Sequence, residues 1–264
     1  MNTGQVRDWV RAARHISVLT GAGMSAESGV PTFRDAGMSA PKTPAASAPQ
    51  GGATGLGRPG AGSGLWAKFD PQQLATEEAF RANPSMVWDW YAYRRDAIAK
   101  VQPNAGHRAL ADFAQRHPRR LTLITQNVDG LHQRAGSEGV LALHGNIAQD
   151  RWLDTPRDCC NADAVVAGSP PYCDRCGNMR RPAVVWFGEM LPPDVLDAAE
   201  AAARSCDLML VVGTSGLVYP AAGLARAARG RVAIVNPEPT ALDDAADAVL
   251  RGTAAKLLPV LLED

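Results

Sequence analysis

Four groups of residues in this chain have types and spacings suited to chemistry. The first is Gly21-Ala22-Gly23, directly after the apolar run Ile16–Thr20. Glycines just past a strand permit positive φ and let backbone N–H groups approach a pyrophosphate at a helix N-terminus. The same pair also arises as a tight strand–helix turn, so spacing alone leaves both readings open. Position 26 is alanine and the next glycine is Gly29; without G-x-G-x-x-G a hydride-transferring dehydrogenase is disfavoured. The second is His144, which closes the apolar run Val140–Leu143 and precedes Gly145. There an imidazole can point into a crevice, and its ordinary pKa of about 6.5 suits proton transfer near neutrality. His15, His107, His117 and His132 are expected as surface or helix-packing residues. The third is Arg94, on a helical stripe with Val87, Tyr91, Ile98 and Val101. A guanidinium in an apolar stripe is costly without an anionic partner, although snorkelling or a nearby carboxylate would also satisfy it. The fourth is a cysteine set: four of the five lie between Asn146 and Pro182, and Cys206 stands alone. This usage argues against a disulfide framework.

Alternating elements must hold these groups in place. Short apolar runs recur at Ile16–Thr20, Leu121–Thr125, Val140–Leu143, Ala183–Phe187, Leu208–Val212 and Val232–Val235. Such runs, without alternation, suit strands buried on both faces, as in parallel sheets. Helices are expected at Ala105–Arg116, Pro193–Ser205 and Pro220–Arg229, and another begins at Asn83-Pro84, a good N-cap followed by a favoured first residue. Val6, Trp9, Val10 and Ala13 fall at helical spacing, marking an amphipathic helix rather than a secretory signal. Alternation of strand and helix predicts a doubly wound α/β, Rossmann-like sheet with ligands at the carboxyl ends of its strands. Two segments break the pattern. Ala36 to about Gly64 is rich in Ala, Pro, Gly and Ser and is expected to be mobile. Asn146 to Pro182 reads as a small inserted module. Acidic and basic residues balance at 27 each, which gives no support to nucleic-acid or anionic-membrane binding. No apolar run is long enough to cross a bilayer, and a cytoplasmic monomer is the expectation.

The string from Gly21 to Arg34, GAGMSAESGVPTFR, closely resembles the nucleotide-binding signature of the sirtuins, the NAD-dependent protein deacylases. Further matches follow in the family's order: Thr125-Gln126-Asn127-Val128-Asp129, Leu143-His144-Gly145-Asn146, Val185-Trp186-Phe187-Gly188-Glu189, Gly213-Thr214-Ser215 and Asn236-Pro237-Glu238. The resemblance runs from about residue 10 to 262. It implies an NAD-binding domain of residues 1–35, 105–145 and 183–264, a cofactor loop and helical segment over 36–104, and a cysteine module over 146–182. It further implies that NAD is a consumed co-substrate. Gly21, Ala22, Gly23, Met24, Ser25, Ala26, Glu27, Pro31 and Thr32 would line the cofactor, with Phe33 and Arg34 closing over the reacting ribose. Gln126, Asn127, Val128 and Asp129 would hold ribose and the nicotinamide amide. Gly213, Thr214, Ser215, Asn236, Pro237 and Glu238 would reach the adenosine half, with Ala254 near the adenine. His144 would be the general base, with Asn127 and Asp129 completing the catalytic set. The acyl oxygen of an acylated lysine would displace nicotinamide, and an attack by a ribose hydroxyl, then water, would yield free lysine and an acylated ADP-ribose. Acylated proteins or peptides would bind as an added strand between Gly188-Glu189 and Gly216-Leu217-Val218, flanked by Val185 and Phe187. Tyr91-Ala92-Tyr93-Arg94 matches the Tyr-x-x-Arg of the branch that accepts succinyl and malonyl lysine. Arg94 would clamp the distal carboxylate and Tyr91 would donate to it, with deacetylation retained.

The chain departs from the family in two places. Most sirtuins hold a structural zinc with two C-x-x-C pairs; Cys173-Asp174-Arg175-Cys176 is present, but only adjacent Cys159-Cys160 stands for the other. Neighbouring cysteines make strained co-ligands, so four thiolates, three with water or Asp158, and no metal are all open. The other departure is the long insertion after Arg34. Transfer of ADP-ribose onto a protein and a non-enzymatic NAD or ADP-ribose sensor are the alternative functions.

Overall fold

In the computed structural model, residues 3–30 and 71–263 are described. Four of the apolar runs become neighbouring strands: β1 (Ile16–Thr20), β2 (Leu121–Thr125), β8 (Leu208–Val212) and β9 (Arg231–Val235). With β3 (Leu141–Ala142) and β10 (Ala248–Leu250) they form a parallel sheet in the order β10-β9-β8-β1-β2-β3. The order reverses between β1 and β8, which makes that crevice the topological switch point.

Why these runs are uninterrupted is plain from their packing. On β1 and β8, Ile16, Val18, Leu208, Leu210 and Val212 face one core, where Val6 and Val10 of the Thr3–Ala12 helix meet Leu110, Phe113 and Leu258. Leu19, Met209 and Val211 face the other, against Ala199 and Ala203 of the Pro193–Ser205 helix and Leu224. Both faces are covered, so each position must be apolar or internally bonded.

A third apolar cluster lies off the sheet. The Pro84–Lys100 helix, capped by Asn83 through the Met86 N–H (3.1 Å), contributes Val87, Trp90 and Tyr91. They pack with Phe80, Ile147, Val184 and Trp186. β4 (Gly145–Trp152) and β7 (Arg180–Val184) form an antiparallel pair at the neck of the cysteine segment, and β5 (Val165–Val166) pairs with β6 (Tyr172–Cys173) beyond it.

The expected sheet strand Ala183–Phe187 is thus corrected. The strand ends at Val184 and runs antiparallel to β4 rather than joining the parallel sheet. A short apolar run buried in an off-sheet cluster carries the same pattern as a central strand. The insertion over 36–64 and the cofactor residues Pro31, Thr32, Phe33 and Arg34 lie outside the described residues. Among the described residues no helix is long and apolar enough to cross a membrane.

Candidate active site

Thr20 is in register with Thr125 on one side and Val212 on the other, and Val212 with Val235. One step beyond this level row stand Gly21, Gln126, Gly213 and Asn236. A Cβ on Gly23 would lie 2.8 Å from the Gly213 Cα, and one on Gly213 (φ +62°) would overlap the Met24 nitrogen. The glycines are therefore required by backbone meeting backbone at the switch point. Two of their amides are engaged there: Gly21 N–H donates to Val212 O (3.0 Å) and Gly23 N–H to Gly213 O (2.8 Å). Among the described residues the Ala22 N–H has no acceptor, so it is the amide of this turn left for a ligand.

The residues expected on the adenosine side are held mainly by neighbours in the fold. Gln126 Nε2 donates to Thr214 Oγ1 (3.2 Å), Asn236 Nδ2 to Glu238 O (2.6 Å), and Ala241 N–H to Ser215 O (3.0 Å). Pro237 and Glu238 are exposed beside them. Glu27 accepts from the Ala255 N–H (3.0 Å) and so caps the helix that starts at Ala254. Its carboxylate is occupied with the fold, while Ala26 is exposed and Met24 is in the core.

Behind the crevice is a buried polar network that the sequence reading missed. Ser25 Oγ donates to Asp129 Oδ2 (2.7 Å) and lies 3.2 Å from Asn127 Nδ2 and 3.3 Å from His107 Nε2. Asp129 Oδ1 accepts from the Leu131 N–H (2.9 Å), and Val128 O from the Ile147 N–H (2.9 Å). Burial pushes the Asp129 carboxyl up, and the bonds from Leu131 and Ser25 pull it back down. His107 and His132, expected at the surface or in helix packing, are fully enclosed, with ring centroids 4.7 Å apart. His107 Nδ1 accepts from the Asn104 N–H (3.3 Å), which leaves Nε2 to carry the proton toward Ser25. His132 Nε2 reaches Thr20 Oγ1 (3.0 Å), whereas its Nδ1 is buried with no partner among the described residues. Burial lowers His107 to about 4 and His132 to about 3. The spacing Asn104-x-x-His107, realised as a capping box, was the available signal.

His144 is half-buried at the edge of this network. Its Nδ1 is 2.8 Å from Gln126 O, a carbonyl that can only accept. Nδ1 therefore carries the proton, and the lone pair on Nε2 is left to act as a base. Burial lowers the His144 pKa and the Gln126 bond raises it in part. His144 O accepts from the Val185 N–H (2.9 Å), tying this residue to the segment that follows β7.

That segment meets the Pro84–Lys100 helix. Trp186 Nε1 donates to Tyr91 Oη at 3.0 Å. Arg94 lies 4.7 Å from the Trp90 ring centroid and 5.8 Å from that of Tyr91, and among the described residues no carboxylate pairs with it. Desolvation lowers the Arg94 pKa, as expected for a cation without an anion, and desolvation raises that of the Tyr91 phenol. The Glu189 carboxylate is turned inward to Arg181 and Arg151 (3.0 Å) and to the Trp186 N–H (2.7 Å), so its acceptors are engaged within the fold. Phe187, Met190, Leu217, Val218 and Tyr219 are exposed large apolar residues on or next to the two segments expected to flank a peptide, where Gly188 and Gly216 have positive φ.

The cysteines converge despite their spacing. The Sγ atoms of Cys159, Cys160, Cys173 and Cys176 all lie within 4.8 Å of one another, and Asp158 is outside the group. Tetrahedral zinc with bonds of about 2.3 Å needs sulfurs about 3.8 Å apart, and the Cys160–Cys176 pair is at 3.5 Å. All four thiols fit one zinc, adjacent residues included.

A model of the Sir2 family matches residues 53–220. An NAD-dependent protein deacylase of Ralstonia nicotianae is 51% identical over 98% of this chain and 95% of its own. A triple mutant of a Sir2 homologue in complex with 2′-O-acetyl ADP-ribose has 38% identity and a TM-score of 0.77, covering 99% of this chain and 95% of that one. A Sir2 homologue–NAD complex has 37% identity and a TM-score of 0.77, covering 99% and 93%.

Proposed function

The chain belongs to the Sir2 family, and from that premise we propose that it is an NAD-dependent protein lysine deacylase that favours succinyl and malonyl groups while retaining deacetylation. NAD, when bound, supplies the ribose carbon that takes up the acyl oxygen and the nicotinamide that departs. The chain's own groups bind, orient and move protons. Asn127 and Asp129, held by Ser25, present fixed polar atoms to the ribose and amide. His144 Nε2 accepts the proton of a ribose hydroxyl, because Gln126 O occupies its other nitrogen. Exposed apolar residues and the positive-φ glycines at Gly188 and Gly216 suit the two edges between which a peptide adds as a strand. Zinc held by the four cysteines would cross-link the module and take no part in the chemical step.

One observation carries the acyl assignment: among the described residues the desolvated Arg94 has no carboxylate partner, and it lies on the same helix face as a buried phenol. A half-buried, desolvated guanidinium and a hydroxyl proton without an acceptor among the described residues call for an anion, and a succinyl carboxylate supplies it. The test follows succinyl-lysine and acetyl-lysine peptides with NAD by mass spectrometry. His144→Ala should abolish loss of both groups. Arg94→Met should raise KM for the succinyl peptide about 10- to 100-fold, the value of a charge-assisted bond of about 1.5–3 kcal/mol, and spare the acetyl peptide. Equal losses on both peptides would refute the acyl assignment. No deacylation by the unmodified protein, with NAD binding intact, would favour the transferase or the sensor.

A further inference from the structure

We propose that Trp186 sets acyl selectivity as a positioning residue, by directing the proton of the Tyr91 hydroxyl toward the acyl end of the substrate. The inference rests on the reading of Tyr91 and Arg94 as a carboxylate site. A phenol has one proton and two lone pairs, whereas an indole N–H can only donate. With Trp186 Nε1 3.0 Å away, one Tyr91 lone pair is filled and the phenolic proton cannot point back at the indole. Among the described residues that proton has no acceptor, although Tyr91 is 2% exposed. Burial keeps the phenol protonated across the working pH range. It therefore stands as a donor aimed away from Trp186, on the face it shares with Arg94. Accepting one hydrogen bond also polarises the O–H and strengthens the one it donates.

Trp186 is itself held at both its ring and its main chain. The Arg181 guanidinium lies 3.2 Å from the Trp186 ring centroid, pairs with Glu189 and donates to Val184 O (2.8 Å). Glu189 in turn accepts from the Trp186 main chain, and the Phe80 ring packs at 5.2 Å. With so little freedom, Nε1 has one direction to donate. A tryptophan serving only as core would need none of this alignment with the phenol, and a phenylalanine would fill most of its volume.

Trp186→Phe removes the donor and keeps the packing. On matched peptides with NAD, it should raise KM for succinyl-lysine about fivefold, equivalent to about 1 kcal/mol at 1.4 kcal/mol per tenfold. The turnover number and the acetyl-lysine kinetics should change less than about twofold. Tyr91→Phe should show a similar loss, and the double variant should lose less than the two separate factors multiplied. Arg181→Lys, which loosens the indole without touching the phenol, should give a smaller loss of the same selectivity. Equal losses on both peptides, or losses that multiply in the double variant, would overturn the proposal. An Arg94→Met variant separates the two levels. If it loses succinyl selectivity and Trp186→Phe does not, the role of Trp186 alone fails; if Arg94→Met changes nothing, the carboxylate site fails and the inference with it.

Discussion

Protonating His107 in the folded protein would turn Nδ1 from an acceptor of the Asn104 N–H into a competing donor. Protonating His132 would place a charge on a nitrogen that is buried without a partner among the described residues. Both rings are at most 1% exposed, and their folded pKa values of about 4 and about 3 lie well below the ordinary 6.5. Below pH 6.5 the unfolded chain takes up protons that the folded chain refuses, so folding stability falls as pH drops, and the loss ends only below the folded values. At pH 5 each histidine removes about 2 kcal/mol relative to pH 7.5, or about 4 kcal/mol together. For a chain of this size that is a drop in melting temperature on the order of 8–16 °C.

Urea unfolding at pH 7.5 and 5.0 measures the difference directly, and a His107→Gln/His132→Gln variant isolates it from titrating carboxylates. The double variant should be less stable at pH 7.5 and should show a pH difference smaller by about 4 kcal/mol. Histidine NMR gives a second reading that does not depend on the variant folding, with two of the five imidazoles still neutral at pH 5. If the pH difference is the same in both proteins, or every histidine titrates between pH 6 and 7, the closed network described around Ser25 is wrong.

The acid limb of deacylation, read from kcat/KM against pH, should have its inflection below 6.5, because His144 works as a neutral base and burial lowers its pKa; an inflection above 6.5 would contradict the half-buried imidazole bonded to Gln126. Zinc should be present at one per chain, and its removal by a chelator, or Cys173→Ser, should lower the melting temperature and speed hydrogen exchange over residues 146–182; a metal-free protein indifferent to chelators would leave the four thiols as a reduced cluster.

How much of this was legible depended on whether one physical demand dominated a segment. β1, β2 and β8 coincide residue for residue with their apolar runs because burial on both faces allows little else. The Ala105–Arg116 and Pro193–Ser205 helices were equally clear from their periodicity and starts. Ala183–Phe187 misled because an apolar run reports burial and not the partner that does the burying. β10 went unnoticed: three residues after a turn carry too little pattern. Among the candidate site residues, the expected pyrophosphate role of Gly21 and Gly23 leaves out their part in the fold, since their amides bond β8 and Gly213. The place of Glu27 in the motif suggests a cofactor contact and gives no sign that its carboxylate caps a helix. The four cysteines were judged awkward from adjacency in sequence, yet the chain folds them into one cluster.

The network around Ser25 was the largest omission, and its invisibility has a physical cause. Periodicity detects apolar faces, whereas these polar groups are scattered over residues 20 to 132 and meet only in the folded chain. Enclosing them is costly unless each finds a partner, and nearly all do. Among the described residues the exceptions include His132 Nδ1 within the network and, at the mouth of the crevice, the Ala22 N–H, the Tyr91 proton, Arg94 and the free nitrogen of His144. Apart from His132 Nδ1, the groups of the network at the back of the crevice are satisfied by one another, which fixes their orientation. Groups at its mouth stay unsatisfied, so ligand binding completes bonds the fold has already aimed. A polar residue in this chain is therefore best assigned by what it still lacks once folded, a quantity the sequence does not contain.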